Sequence, residues 1–173
     1  MRFFVAPIMA CLACSGLDDP EFHSVLESNA TSYVAVDDPD PRYDYALTVA
    51  LTHRNTSEFI VRVSSCSATV PDPLYTVERT GTGEAAWDPN LSCAAFVGAP
   101  HQDLAPGEER TLSLALRAPW QRLFNGQPVG EVEGRFFVVL QTQICTSISS
   151  SGVCTPVNKI EFVRSNEFTI TTP

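Results

Sequence analysis

From Thr31 onward the chain alternates apolar and polar residues with a period of two, the pattern of half-buried β-strands. Tyr43, Tyr45, Leu47, Val49 and Leu51 fall on one side, and Asp44, Ala46, Thr48 and Ala50 on the other. After the polar turn Arg54-Asn55-Thr56-Ser57, Phe59, Val61 and Val63 alternate with Ile60 and Arg62, so the two segments read as a hairpin. Further strands are predicted over Leu74–Arg79, Cys93–Val97, and a row carrying Leu112, Leu114 and Leu116. Leu104-Ala105-Pro106-Gly107-Glu108-Glu109 precedes that leucine row and holds the Pro-Gly pair of a type II turn. The longest strand is expected from Arg135 to Cys145; it is apolar on both faces, as a central strand is. A last strand carries Phe168 and Ile170.

About seven or eight short strands with turn signals between them predict an all-β fold, an immunoglobulin-like β-sandwich over residues 31–173. A jelly roll or small barrel would give a similar pattern. Pro39, Pro41, Pro71 and Pro73 sit between strands, where a residue without an amide proton belongs.

The N-terminus has a different character. Arg2 and the apolar run Phe3 to Ala13 read as an export signal with a hydrophobic stretch of about eleven residues. That is far short of the roughly twenty needed to cross a bilayer as a helix. Cys11-Leu12-Ala13-Cys14-Ser15-Gly16 resembles the lipobox of bacterial lipoproteins, in which a small residue precedes a cysteine that is acylated and becomes the new N-terminus. The resemblance implies a signal over 1–13 and a lipid on Cys14. The residues after it, short on apolar periodicity and broken by Asp18-Asp19-Pro20, read as a flexible tether that completes the segment 14–30 and contains His23. Cys11 is an alternative register. Cleavage before Cys14 leaves the even set Cys66, Cys93, Cys145 and Cys154, which suits an oxidising compartment. The expected location is the cell envelope, lipid-anchored at the outer membrane; the alternative is plain secretion.

Four cysteines allow three pairings. The shortest route joins Cys66–Cys93 and Cys145–Cys154, each closed loop contributing roughly 3 kcal/mol. Their spacing lacks the close pairs of a zinc site.

A net charge of −9 across 173 residues disfavours nucleic acid and anionic lipid as partners. His23, His53 and His101 are isolated; His53 continues the inward row and is expected to be partly buried at a strand end, and His101 lies in a loop. No Gly-x-Ser-x-Gly elbow is present. Asp37-Asp38-Pro39-Asp40-Pro41, with Asp44, is expected to be a solvated loop rather than a calcium site. Neither a cofactor, a metal nor a catalytic residue is assigned, and the chain is read as a non-enzyme. Asn29, Asn55 and Asn90 head glycosylation sequons that carry weight only in a eukaryotic secreted protein. Trp120, Arg122 and Phe124, in the loop 119–130, are the candidate contact residues for a protein partner, with a tryptophan plugging the sandwich as the alternative.

From Tyr43 to Thr142 the order of features resembles the intracellular proteinase inhibitor (BsuPI-type) family. Asn55-Thr56-Ser57 follows an alternating strand, Tyr75–Arg79 precedes Gly81 and Trp87, Leu104-Ala105-Pro106-Gly107-Glu108 opens a strand ending near Trp120, and Gly134 precedes Arg135–Leu140. The resemblance implies an immunoglobulin-like sandwich and, as an alternative to an anchored protein-binding or structural module, an exported inhibitor of proteases.

Overall fold

The alternation of the long strands becomes a pair of facing leucine rows. In a computed structural model, which describes residues 23–63, 73–87, 102–119 and 130–173, β4 (Tyr45–Asn55) pairs antiparallel with β8 (Glu109–Ala118), placing Leu47 beside Leu116, Val49 beside Leu114 and Leu51 beside Leu112. The other edge of β4 is taken in succession by β1 (Ser24–Ser28) and β3 (Val36–Asp37), which completes a four-stranded sheet.

The second sheet is organised on β9 (Gly134–Ile148). One edge of β9 carries β6 (Tyr75–Arg79) and then β5 (Ile60–Val63); the other carries β11 (Phe168–Thr171) and then β10 (Cys154–Arg164). β7 (Gln102–Leu104) extends the sheet beyond β5, and β2 (Ser32–Val34) runs parallel to β11, giving seven strands. The all-β sandwich predicted from periodicity is therefore present, with eleven strands among the described residues against about seven or eight expected. Four of the additional strands are short edge segments of two to five residues, too brief to show alternation. The fifth, β10, has eleven residues whose alternation is broken by register shifts around Pro156, and the strand predicted over Cys93–Val97 lies outside the described residues.

Between the sheets, Leu47, Val49 and Leu51 meet Val77, Phe136 and Leu140 in one continuous apolar core. Trp87 is wholly buried in it and donates Nε1–H to the Val132 carbonyl at 3.1 Å, so one of the two tryptophans is a core plug. Val61, Val63, Leu104 and Ile144 form a second cluster at the other end. The layers are also tied by polar contacts: Tyr75 donates its hydroxyl to the Ala115 carbonyl at 3.1 Å.

Three expectations are corrected. The β4–β5 hairpin does not form, because the strands lie in different sheets. Asn55, with 1% exposure, turns the chain across: its amide nitrogen donates to the carbonyls of Phe59 (2.7 Å) and Leu104 (3.0 Å), and its Oδ1 accepts from the Ser57 amide and hydroxyl, both at 2.9 Å. A buried amide satisfied this fully fixes an interlayer arch in place of a hairpin turn. Second, the tether expected to continue to residue 30 gives way to β1, whose Leu26 is 2% exposed; His23 is docked on β10, with Nδ1 2.6 Å from Glu161 Oε1. Third, His53 is completely rather than partly buried. The type II turn is as predicted: Gly107 has φ 75° and Glu108 N–H donates to the Ala105 carbonyl at 2.9 Å. Backbone at this φ favours glycine because a β-carbon is strained there.

Cys145 and Cys154 form the expected disulfide. Their Cα atoms are 5.5 Å apart although Cys154 stands opposite Ile148, three residues past Cys145, so the hairpin tip is bent rather than straight. A register shift at Thr155/Pro156 supplies the bend. The tip thereby folds back over the outer face of the sheet, where the Gly152 carbonyl accepts from Arg62 Nη1 at 2.9 Å. Arg62 Nε and Nη2 also hold the Asp103 carboxylate in bidentate fashion at 2.7 and 2.9 Å. This explains why an arginine in an outward-facing position is only 4% exposed.

Replacing Cys145 and Cys154 together by Ala removes the closure of a short loop and is expected to lower unfolding stability by about 3 kcal/mol, read from urea denaturation under oxidising conditions. His53 makes a second prediction. Neither of its ring nitrogens has a hydrogen-bond partner, and burial first, with the Arg110 charge second, pushes its pKa down to about 4. The unfolded chain therefore binds a proton that the folded one refuses between pH 6.5 and 4. Stability is full above that window and falls through it as pH drops, by about 3 kcal/mol in total. His53→Leu flattens this slope, which urea midpoints at several pH values measure.

Candidate functional site

The end of the sandwich where β4 begins and β8 ends contains an open depression of about 430 Å³. Asp44 and Tyr45 contribute from the start of β4, Pro119 from the end of β8, Gly130 to Glu133 from the approach to β9, and Thr172 from beyond β11. These four chain segments meet because the Asp44 amide donates to the Ala118 carbonyl at 2.8 Å, and the Trp87 indole pins Val132 through its carbonyl. Gly130, at φ 74°, has Glu84 against it; a β-carbon there would meet Glu84 Oε2 at 3.0 Å.

Tyr45, Pro119 and Val132 supply an apolar lining, and the carboxylates of Asp44, Glu131 and Glu133 supply negative charge. Two of the carboxylates are held in place. Glu133 Oε1 accepts from the Thr172 hydroxyl at 2.5 Å and the Thr172 amide at 2.8 Å, which lowers its pKa below the usual glutamate value. Glu131 Oε2 lies 2.7 Å from Arg79 Nη2. Fixed acceptors around an apolar lining suit a cationic group carried on an apolar stem, the form of a lysine or arginine side chain.

The candidate contact residues Trp120, Arg122 and Phe124 lie outside the described residues, as do Cys14 and the proposed Cys66–Cys93 pair. The two ends of their loop do not: Pro119 and Gly130 both line the depression. Asp44, Glu131 and Glu133 were not singled out as a site by the sequence, since β4 and the approach to β9 are far apart along the chain and no motif links them. The one sequence signal was that the end of β8 and the approach to β9 flank an aromatic-bearing loop.

The acidic loop after β3 is not simply solvated. Asp38 has a side chain only 1% exposed, with Oδ2 3.2 Å from Arg117 Nε. Asp40 binds Arg42 at 2.6 Å and Arg117 at 3.3 Å; hydrogen bonds from the Arg42 side chain and backbone, ahead of the charges, hold its pKa down to about 2. Both arginines also stand over the Tyr43 ring, at 5.7 and 5.4 Å. These carboxylates are thus turned onto arginines, and no cluster of three metal-ligating side chains occurs among the described residues. The sequon at Asn55 is closed to glycosylation because its amide is buried and donates two hydrogen bonds; Asn29 is exposed. His101 lies outside the described residues.

No family model matches the chain, and no curated protein does either. Among solved structures, the Northeast Structural Genomics Consortium target SoR45 overlaps it with a TM-score of 0.39 and 14% identity, covering 87% of this chain and 88% of that one. A β-glucosidase from Listeria innocua in complex with glucose gives 0.32 and 11% over 85% of this chain, which spans only 16% of the enzyme. The CooA pilin subunit from enterotoxigenic Escherichia coli gives 0.28 and 15%, over 87% and 99% of the two chains. The overlaps are loose, and the fold rests on the strand pairing described above.

Proposed function

We propose that this chain is a non-enzymatic, envelope-anchored binding module, held by a lipid on Cys14 and engaging a basic segment of a protein partner at the end depression. The observation that carries this reading is the composition of the depression: three carboxylates, two of them fixed by Thr172 and Arg79, around Tyr45, Pro119 and Val132. Loops on a rigid sandwich commonly carry recognition, and this depression is framed by the ends of one.

Its position supports the same reading. The described domain starts at His23, beside the Asn55 end of β4, whereas the depression lies at the Tyr45 end. Ten residue steps along β4 separate the two ends by about 34 Å. An anchored domain therefore keeps the depression well clear of its own tether.

Cys14→Ser is expected to move the protein from the membrane fraction to the soluble fraction, and unchanged fractionation would refute the anchor. Asp44→Lys combined with Glu131→Lys changes exposed groups, and because the second also breaks the ion pair with Arg79, stability should fall by no more than about 1 kcal/mol, leaving the domain folded. Cross-linking to an envelope partner should then fall at least about tenfold, the loss being greatest at low salt. Equal cross-linking by wild type and double variant would remove the depression from the binding surface.

A further inference from the structure

The outer face of the seven-stranded sheet does not share the acidity of the chain. Although the net charge is −9, no charged residue occurs between Arg135 and Lys159. Side chains opposite the core row point outward from β9 and β10, and among them are Arg135, Phe137, Ile160, Phe162 and Arg164. Phe162 is 62% exposed and Ile160 56%, two of the five large apolar side chains most open to solvent among the described residues. The Arg164 guanidinium stands 4.8 Å over the Phe137 ring. Arg135 and Arg164 are exposed and only loosely paired, with Glu167 at 3.4 Å and Glu78 at 4.0 Å. Arg62, on the same face, is already neutralised by Asp103. The face thus combines exposed aliphatic and aromatic groups with available guanidinium groups.

The point where the chain joins the domain lies on the same strand. His23, the first described residue, contacts Glu161, which lies between Ile160 and Phe162 along β10 but turns its side chain to the opposite face, so the chain joins the domain at the edge of this strand. From Cys14 to His23 the chain can reach at most about 30 Å when extended. A lipid at Cys14 would therefore hold this edge of β10 within that distance of the bilayer.

We propose that the outer face of β9 and β10 rests on the lipid surface, with Phe162 and Ile160 at the boundary between headgroups and acyl chains and Arg135 and Arg164 among the phosphates. This inference rests on the anchored reading above. Aromatic and aliphatic side chains with basic neighbours suit that boundary, and a short acyl tether gains permanence from a second contact. The local balance of charge offsets the repulsion that the acidic remainder would otherwise bring to anionic lipid. In this orientation the depression, lined by Glu133 two residues before Arg135, opens at the end of the sandwich rather than on the lipid-facing side, so a partner can still reach it.

The test uses the whole chain from residue 14, attached by an N-terminal polyhistidine tag to nickel-chelating vesicles of phosphatidylethanolamine and phosphatidylglycerol with brominated acyl chains. This attachment does not depend on acylation, so failure of the anchor, read from Cys14→Ser fractionation, is distinguishable from failure of the lipid-facing surface. Phe162→Trp replaces one exposed ring by another, and Val36→Trp, at a position 60% exposed on β3 of the other sheet, is the control. Trp87 and Trp120 contribute the same background to both. Quenching of the added fluorescence should be at least about threefold greater for Phe162→Trp than for Val36→Trp, and should decline when Arg135 and Arg164 are both changed to Gln. Equal quenching of the two tryptophan variants would overturn the proposal. So would a concentration-dependent dimer abolished by Phe162→Ser, which would assign the face to a second copy of the chain.

Discussion

The arrangement of this domain depends on β9 being paired along both edges. Its fifteen residues carry β6 and β5 on one side and β11 and β10 on the other, and β7 and β2 attach through those partners. A strand placed in this way has no free backbone edge over most of its length, so its amides and carbonyls are satisfied within the sheet. Its inward row of Phe136, Val138 and Leu140 then has one position available, against the Leu and Val rows of β4 and β8. A register slip of one residue would turn this whole row to solvent and bring Phe137 and Gln141 inside, so the pairing and the core specify each other.

Polar contacts then determine how the two layers are connected. Asn55 carries the chain from β4 to β5, and the segment after β1 makes the same crossing earlier in the chain, pairing as β2 with β11 before returning to the first sheet as β3. Tyr33 marks that crossing: its ring meets Phe168 edge-on at 5.3 Å, while its hydroxyl donates to the Ala50 carbonyl at 3.1 Å. The N-terminal region therefore belongs to both sheets. Apolar burial provides the cohesion between the layers, and a few buried or half-buried hydrogen bonds select the connections.

Much of this was legible in the alternation. The inward rows of β4, β8 and β11 were read correctly because each has four or more residues and one buried face, and β9 was recognised as a central strand from its apolar residues on both faces. β2 and β3 were not, since three or two residues in edge positions carry no periodic signal. The interlayer arch was missed for a different reason. Arg54-Asn55-Thr56-Ser57 has the composition of a hairpin turn, and only the distant Leu104 carbonyl reveals that the Asn55 amide is buried. The depression was illegible for the same reason: Asp44, Glu131 and Thr172 become neighbours only through sheet topology. The Cys145–Cys154 pair could be read because its two members are nine residues apart and flank a polar loop.

The antiparallel union of β1 with β4 has a mechanical consequence. Five successive residue pairs, from Ser24 opposite Asn55 to Ser28 opposite Leu51, join the first strand to the centre of its sheet. If the domain is held at its N-terminus and pulled from the Tyr45 end, tension runs along these strands rather than across them. The backbone hydrogen bonds of β1 are then strained together in shear, not opened one after another as in a zipper. His23 on Glu161 and the Ser28 amide on Asn166 Oδ1, at 2.6 Å each, brace the same strand against the opposite layer. The element nearest the tether is thus oriented to transmit a pull into the whole sandwich before it gives way.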